Sequence, residues 1–135
     1  MTIILKNKET LLFEDFVFKC SIGKRGTTKS KIEGDKKTPK GLYSLGYVFF
    51  RKDRLSKPIT NLKTFPIKKN MAWCNDINNK KKYNKLINTK EKTSYEKLYR
   101  KDHKYDLLIT INYNTTTLNY CTILLKRRYT YYSSL

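Results

Sequence analysis

Alanine and histidine are almost missing from this chain. Of its 135 residues one is alanine, Ala72, and one is histidine, His103. A single histidine excludes a histidine-rich metal centre. There are three cysteines, Cys20, Cys74 and Cys121. Their number is odd, their spacing is wide, and no Cys-x-x-Cys occurs, which excludes both a disulfide framework and a zinc finger. No stretch approaches the ~20 apolar residues that a membrane span needs. Glu9, Glu14 and Asp15 interrupt the opening segment, which has no continuous apolar region, so no secretory signal is visible. Neither Gly-x-Gly-x-x-Gly nor Gly-x-x-x-x-Gly-Lys-Ser/Thr is present, so nothing calls for a nucleotide cradle, and the residues imply neither a cofactor nor a metal. Acidic residues are scarce: Asp+Glu is 11 against 30 Lys+Arg, for a formal net charge of +19.

Apolar residues make up 39% and aromatics 13% of the chain, too much for a disordered tail. A chain of 135 residues suggests one domain over 1–135, with a core large enough to fold alone. The positive charge suggests a small basic nucleic-acid-binding protein. Composition supplies a competing explanation. Lys, Asn, Ile, Tyr and Phe account for 63 of the 135 residues, and arginine for only six. Codons rich in A and T encode those five residues, so an AT-biased gene would produce this balance whatever the protein does. On either reading the surface binds polyanions non-specifically at low salt.

The hydrophobic pattern is mainly that of β-structure. Residues 2–6 and 11–22 read as strands. In the second, Phe16, Phe18, Cys20 and Ile22 fall on one face, which places Cys20 in the core. All five glycines lie between residues 23 and 46, and the stretch from Gly23 to Gly41 reads as a loop with demanding backbone angles. Strand character returns over 41–50 and over 105–113, and a short apolar segment covers 120–125. Residues 51–92 read as irregular, with Trp73 and Cys74 plugging that stretch onto the core. One short helix is expected over about 94–101, with Thr93 as N-cap, Glu96 completing a capping box, and Tyr95, Leu98 and Tyr99 as its apolar stripe.

Taken singly, the candidate motifs favour plain readings. Gly23-Lys24-Arg25-Gly26 has the Gly-x-x-Gly form of an RNA-backbone clamp, but it follows a strand instead of joining two helices, so a structural turn is expected. Asn114-Thr115-Thr116 fits a glycosylation sequon and reads as a turn. The runs Lys80-Lys81-Lys82 and Lys126-Arg127-Arg128 read as solvated faces. A nucleophilic thiolate needs a neighbouring base or positive dipole. Cys74, in a polar stretch beside Asp76, is the most interesting candidate, whereas His103 reads as a surface histidine.

Five segments in order carry a sharper signal. Ser21-Ile22-Gly23-Lys24-Arg25-Gly26 precedes Lys31-Ile32-Glu33-Gly34-Asp35-Lys36-Lys37-Thr38-Pro39-Lys40-Gly41. Arg51-Lys52-Asp53-Arg54-Leu55 follows, then Trp73-Cys74-Asn75-Asp76 with Tyr83-Asn84-Lys85. Last comes Glu96-Lys97-Leu98-Tyr99-Arg100-Lys101-Asp102-His103-Lys104-Tyr105-Asp106, leading to Tyr113-Asn114. Together they resemble the N-terminal portion of L,D-transpeptidase (YkuD-like) catalytic domains, over about residues 19–114. The resemblance implies a mainly β, sandwich-like domain. Its motif positions are Gly23, Gly26, Glu33, Gly34, Asp35, Thr38, Pro39, Gly41, Trp73, Cys74, Asp76, Arg100, Asp102, Tyr105 and Asp106. It also implies action on peptidoglycan stem peptides in the cell envelope. In that reaction a cysteine thiolate attacks a peptide carbonyl, a histidine activates it, and backbone N–H groups hold the oxyanion.

The family places that histidine and a Gly-Cys nucleophile beyond the Tyr-Asn strand end. After Asn114 this sequence has 21 residues with no histidine and no glycine. Neither catalytic residue carries over. His103 matches a variable position, Cys74 a family cysteine that is not the nucleophile, and Cys121 no catalytic position at all. Permitted codons for Lys126 to Ser134, read one base later, spell Lys-Glu-Gly-Ile-Pro-Ile-Thr-Ala, which looks like the family's approach to its Gly-Cys. The expectation is a frameshift near residue 115 and a C-terminally truncated, inactive product with exposed sheet edges. Two other readings stand beside it: cell-wall binding without chemistry, and a substitute pair of Cys74 or Cys121 with His103.

Overall fold

The computed structural model describes residues 2–32, 34–113 and 121–123. They form short strands throughout, and no helix occurs among the described residues. The chain divides into two compact units, Met1–Leu42 and Tyr43–Leu135.

The first unit opens with an antiparallel meander of β1 (Ile3–Leu5), β2 (Thr10–Phe13) and β3 (Phe16–Lys19). The single strand expected over 11–22 is in fact a hairpin. A two-residue turn at Glu14-Asp15, with Glu14 at φ 51°, folds it so that Leu11 pairs with Phe18 and Leu12 with Val17. Phe16 and Phe18 do share a face, but that face is exposed, and their rings stack on each other at 6.2 Å. Alternation says which residues share a face and leaves open which face is covered. Cys20 lies one residue beyond β3 and is half-buried, not a core residue. β4 (Thr27–Thr28) and β5 (Thr38–Pro39) pair in parallel and tie together the glycine-rich stretch.

The second unit contains every described side chain that is fully buried. One of its sheets has the order β12-β11-β6-β7, formed by β6 (Leu45–Phe50), β7 (Thr64–Pro66), β11 (Leu107–Ile111) and β12 (Cys121–Ile123). β6 runs antiparallel to β11 and parallel to β7. Val48, Phe49 and Phe50 are buried in succession, so both faces of β6 are covered, and its apolar run reflects that. Gly46 faces the buried Thr110, where a Cβ would lie 2.5 Å from the hydroxyl; the ladder shifts register between Ile109 and Ile111. The other sheet sets β8 (Met71–Cys74) between β9 (Leu86–Asn88) and β10 (Tyr95–Lys97). Phe49, Ile67, Leu98, Tyr105 and Leu108 form the core cluster, and Trp73 and Tyr99 pack against it.

The expected helix over about 94–101 is absent. Tyr95 pairs with Cys74, Glu96 with Trp73 and Lys97 with Ala72. An isolated helix of two turns is marginal in water, whereas the strand gains a ladder and buries Leu98. Strands β7, β8 and β9 all lie in the stretch that reads as irregular; at three or four residues each they are too short to show a period. Ala72, the only alanine, is fully buried in the middle strand of its sheet. No helix among the described residues is long and apolar enough to cross a membrane.

Candidate functional site

In the first unit the glycine-rich motif closes on itself. The Gly23 N–H donates to Thr38 Oγ1 at 2.9 Å, and the Gly26 N–H to the Gly23 carbonyl at 2.8 Å. The Thr38 N–H returns to the Gly26 carbonyl at 2.9 Å, just before Pro39. A Cβ on Gly23 would sit 2.3 Å from the Lys36 carbonyl oxygen, so only glycine fits there. Gly26 and Gly34 have φ of 83° and 78°, the left-handed region that glycine enters freely. The Asp35 carboxylate accepts the Lys31 ammonium at 2.6 Å and the backbone N–H groups of Ile32 and Lys37. The lysine first, with those amides, holds its carboxyl at about 2. Gly23-Lys24-Arg25-Gly26 is thus a backbone turn, and Asp35 is the brace of the loop after it. Gly41 follows β5 and is exposed. Glu33 lies outside the described residues.

In the second unit the two charged motifs interlock. The Arg51 guanidinium grips Asp53 with two hydrogen bonds, at 2.8 and 2.7 Å, donates to the Arg100 carbonyl at 2.6 Å, and lies 3.7 Å from the centre of the Tyr99 ring. Arg54 donates to Asp106 Oδ1 at 2.7 Å and to the carbonyls of Asp102, Arg100 and Lys101. Arg100 makes its own two-point contact with Asp102, at 2.8 and 2.7 Å, which holds the Asp102 carboxyl at about 2. The planar five-donor fork of arginine suits it to this combined grip on carboxylates and carbonyls. Burial pushes the Asp106 carboxyl up, but Arg54 and His103 outweigh it and leave it below the ordinary carboxylate range. Burial, with Glu96 as hydrogen-bond partner, pushes the Tyr105 phenol far above its usual value.

The Trp73-Cys74-Asn75-Asp76 element lies along β8 and the turn after it. The Trp73 indole N–H donates to Asn84 Oδ1 at 2.8 Å, and Asn84 takes a φ of 58° to receive it. Cys74 is buried, with its Sγ 3.9 Å from the Thr93 hydroxyl. That hydroxyl donates to Asp76 Oδ2 at 2.7 Å. Thr93 therefore secures the Asp76 turn and caps no helix, a role its local sequence does not signal. Glu96, read as half of a capping box, instead accepts the Lys104 ammonium at 2.8 Å.

Among the described side chains, the groups with nucleophilic or basic chemistry are not brought together. His103 Nδ1 lies 2.6 Å from Asp106 Oδ2, with the ring largely exposed. The Cys20 thiol is pushed up by burial and by Glu9, away from thiolate character. Cys121 opposes Ile111 in the β11–β12 ladder. No cluster of three metal-ligating side chains occurs among the described residues. The sequon at Asn114 and the basic run Lys126-Arg127-Arg128 lie outside the described residues.

Among the described residues the motif elements serve β-rich structure: a glycine turn in the first unit, and an arginine–aspartate lattice and a tryptophan–cysteine strand in the second. A family model of the L,D-transpeptidase catalytic domain (YkuD) matches residues 1–129, so the match spans both compact units. The chain belongs to that family. No curated protein and no solved structure matches it. The family membership lends no support to a nucleic-acid-binding role.

Proposed function

We propose that this chain is an L,D-transpeptidase-family protein that recognises peptidoglycan stem peptides but does not, as these 135 residues, perform acyl transfer. The carrying observation is the placement of its one histidine. His103 is engaged by Asp106, and neither Cys20 nor Cys74 has a histidine against it. Thiol acyl transfer needs a base beside the sulfur and a sulfur that reaches the carbonyl. Cys74, 1% exposed and facing Thr93, has neither. On this reading the described family-motif positions Gly23, Gly26, Gly34, Asp35, Thr38, Pro39, Gly41, Trp73, Cys74, Asp76, Arg100, Asp102, Tyr105 and Asp106 belong to the scaffold of one family domain, and no catalytic residue is assigned.

The test is to incubate the protein with a disaccharide-tetrapeptide and follow products by mass spectrometry. No loss of the terminal residue, no cross-linked dimer and no acyl-cysteine are expected. An acyl adduct on Cys20, Cys74 or Cys121 would overturn the inactivity. Co-sedimentation with purified sacculi at physiological salt is expected to retain the protein, and failure to sediment would overturn the recognition. The frameshift reading is tested on the gene: a shifted frame beyond codon 115 is expected to encode a histidine and a Gly-Cys, and open sequence without them removes it.

A further inference from the structure

The meander of the first unit ends in an uncovered strand. In the order β1-β2-β3, β3 is an edge strand, and all four of its residues are exposed. Phe16 is 62%, Val17 70% and Phe18 47% exposed, so neither face of the strand is covered. An edge of unpaired N–H and C=O groups is a template for another strand. The Cys20 N–H donates inward to the Glu9 carbonyl at 2.8 Å, and this sets the phase of the ladder. Backbone groups alternate in direction along an antiparallel strand, so Phe18 and Phe16 aim theirs at β2, whereas Val17 and Lys19 aim theirs outward.

The residues along this edge read Asp15-Phe16-Val17-Phe18-Lys19, and they complement themselves when reversed. Set antiparallel against a second copy, with Val17 on the two-fold axis, Val17 meets Val17, Phe16 meets Phe18 and Asp15 meets Lys19. Val17 then falls in a hydrogen-bonded pair, the kind its outward groups can make. Phe16 and Phe18 fall in non-hydrogen-bonded pairs, where side chains approach most closely and aromatic pairs gain most. With the Phe16–Phe18 stack of each copy, four rings line one face. A register shifted by one residue sets outward groups against inward ones, and a shift of two parts Asp15 from Lys19. Within one copy Asp15 and Lys19 are four positions apart, ~13 Å at ~3.3 Å per residue, so their complement lies in the other copy. We propose that β3 joins β3 of a second copy in a two-fold dimer with a continuous six-stranded sheet. The contact uses the same patch of both copies and therefore closes, leaving β1 as the outer edge. The net charge of +19 opposes association at long range and is largely screened beyond ~10 Å at 0.1 M salt. The inference concerns the first unit alone and does not depend on the function proposed above.

The test is sedimentation velocity of the intact chain at physiological salt, over a concentration series. A reversible monomer–dimer equilibrium is expected, with a Kd of ~10–100 µM for so small a contact. Asp15→Lys and Lys19→Asp each set like charges opposite each other twice, and each is expected to weaken the dimer ~10-fold. The double variant Asp15→Lys/Lys19→Asp restores opposite charges and is expected to return to within ~3-fold of the wild type. That recovery separates a pair between copies from a defect in the fold. Val17→Pro removes an outward N–H that β2 does not use, and is expected to abolish the dimer with an unchanged far-ultraviolet spectrum. A chain that stays monomeric throughout overturns the proposal. So does a dimer indifferent to the single charge reversals or to Val17→Pro, a double variant no better than the singles, or assembly that grows past the dimer.

Discussion

Asp106 is the buried carboxylate of the charged lattice. Its carboxylate takes Arg54 and His103, and its carbonyl accepts the Arg51 N–H at 2.9 Å. With 6% of its side chain exposed, the charge is stable only because it is paired. Asp106→Asn leaves Arg54 without its counter-charge and is expected to cost about 3 kcal/mol in urea unfolding. His103→Ala removes a largely exposed partner and is expected to cost less than about 1 kcal/mol. The sign of the pH dependence follows from the lowered carboxyl. Because the folded value lies below the unfolded one, the stabilisation is present above the ordinary carboxylate value and is lost as pH falls through the folded value. Asp35 and Asp102, both held at about 2, act in the same direction. Thermal melts are therefore expected to drop from pH 4 downward in the wild type and to be flatter there in Asp106→Asn. Gly23 is the other residue with no freedom: Gly23→Ala drives a methyl into the Lys36 carbonyl and is expected to cost about 1–3 kcal/mol, read from the melting midpoint.

At the level of elements, β10 shows how tertiary pairing overrides local preference. Thr93, Glu96, Leu98 and Tyr99 carry the spacing of a capped helix, yet the middle strand β8 offers β10 a ladder and the core a place for Leu98. Leu98→Ala, just beyond β10, is expected to cost about 2–5 kcal/mol, whereas Lys97→Ala, exposed at the end of that strand, stays within about 0.5 kcal/mol. A far-ultraviolet spectrum without helical minima is expected to accompany both. The strands over 45–50 and 107–111 were legible because each is an apolar run in a covered sheet. β7, β8 and β9 were not, because too few residues repeat in each. The glycine-rich loop was legible as a turn, since at Gly23 only glycine fits and at Gly26 the backbone takes a φ of 83° that glycine enters freely.

Across the whole molecule, burial is uneven. The first unit holds no fully buried side chain among its described residues, whereas the second holds the core around Phe49, Leu98 and Leu108. Local opening free energy follows buried apolar contact, so amide exchange is expected to be slowest in β6, β8 and β11 and at least ~10-fold faster in β1 and β3. Equal protection in the meander and in β6 would contradict this assignment of the core.

Family membership, the β class and the glycine turn were legible in the sequence, the first from five short motifs in order along the chain and the others from apolar runs and local conformational demands. Tertiary structure alone decided that Phe16 and Phe18 face outward, that 95–97 is a strand, and that Thr93 serves Asp76. It also decided that Arg54 meets Asp106 across 52 positions. Those outcomes depend on which surfaces meet after the chain has folded, and neither an alternating pattern nor a capping spacing encodes that.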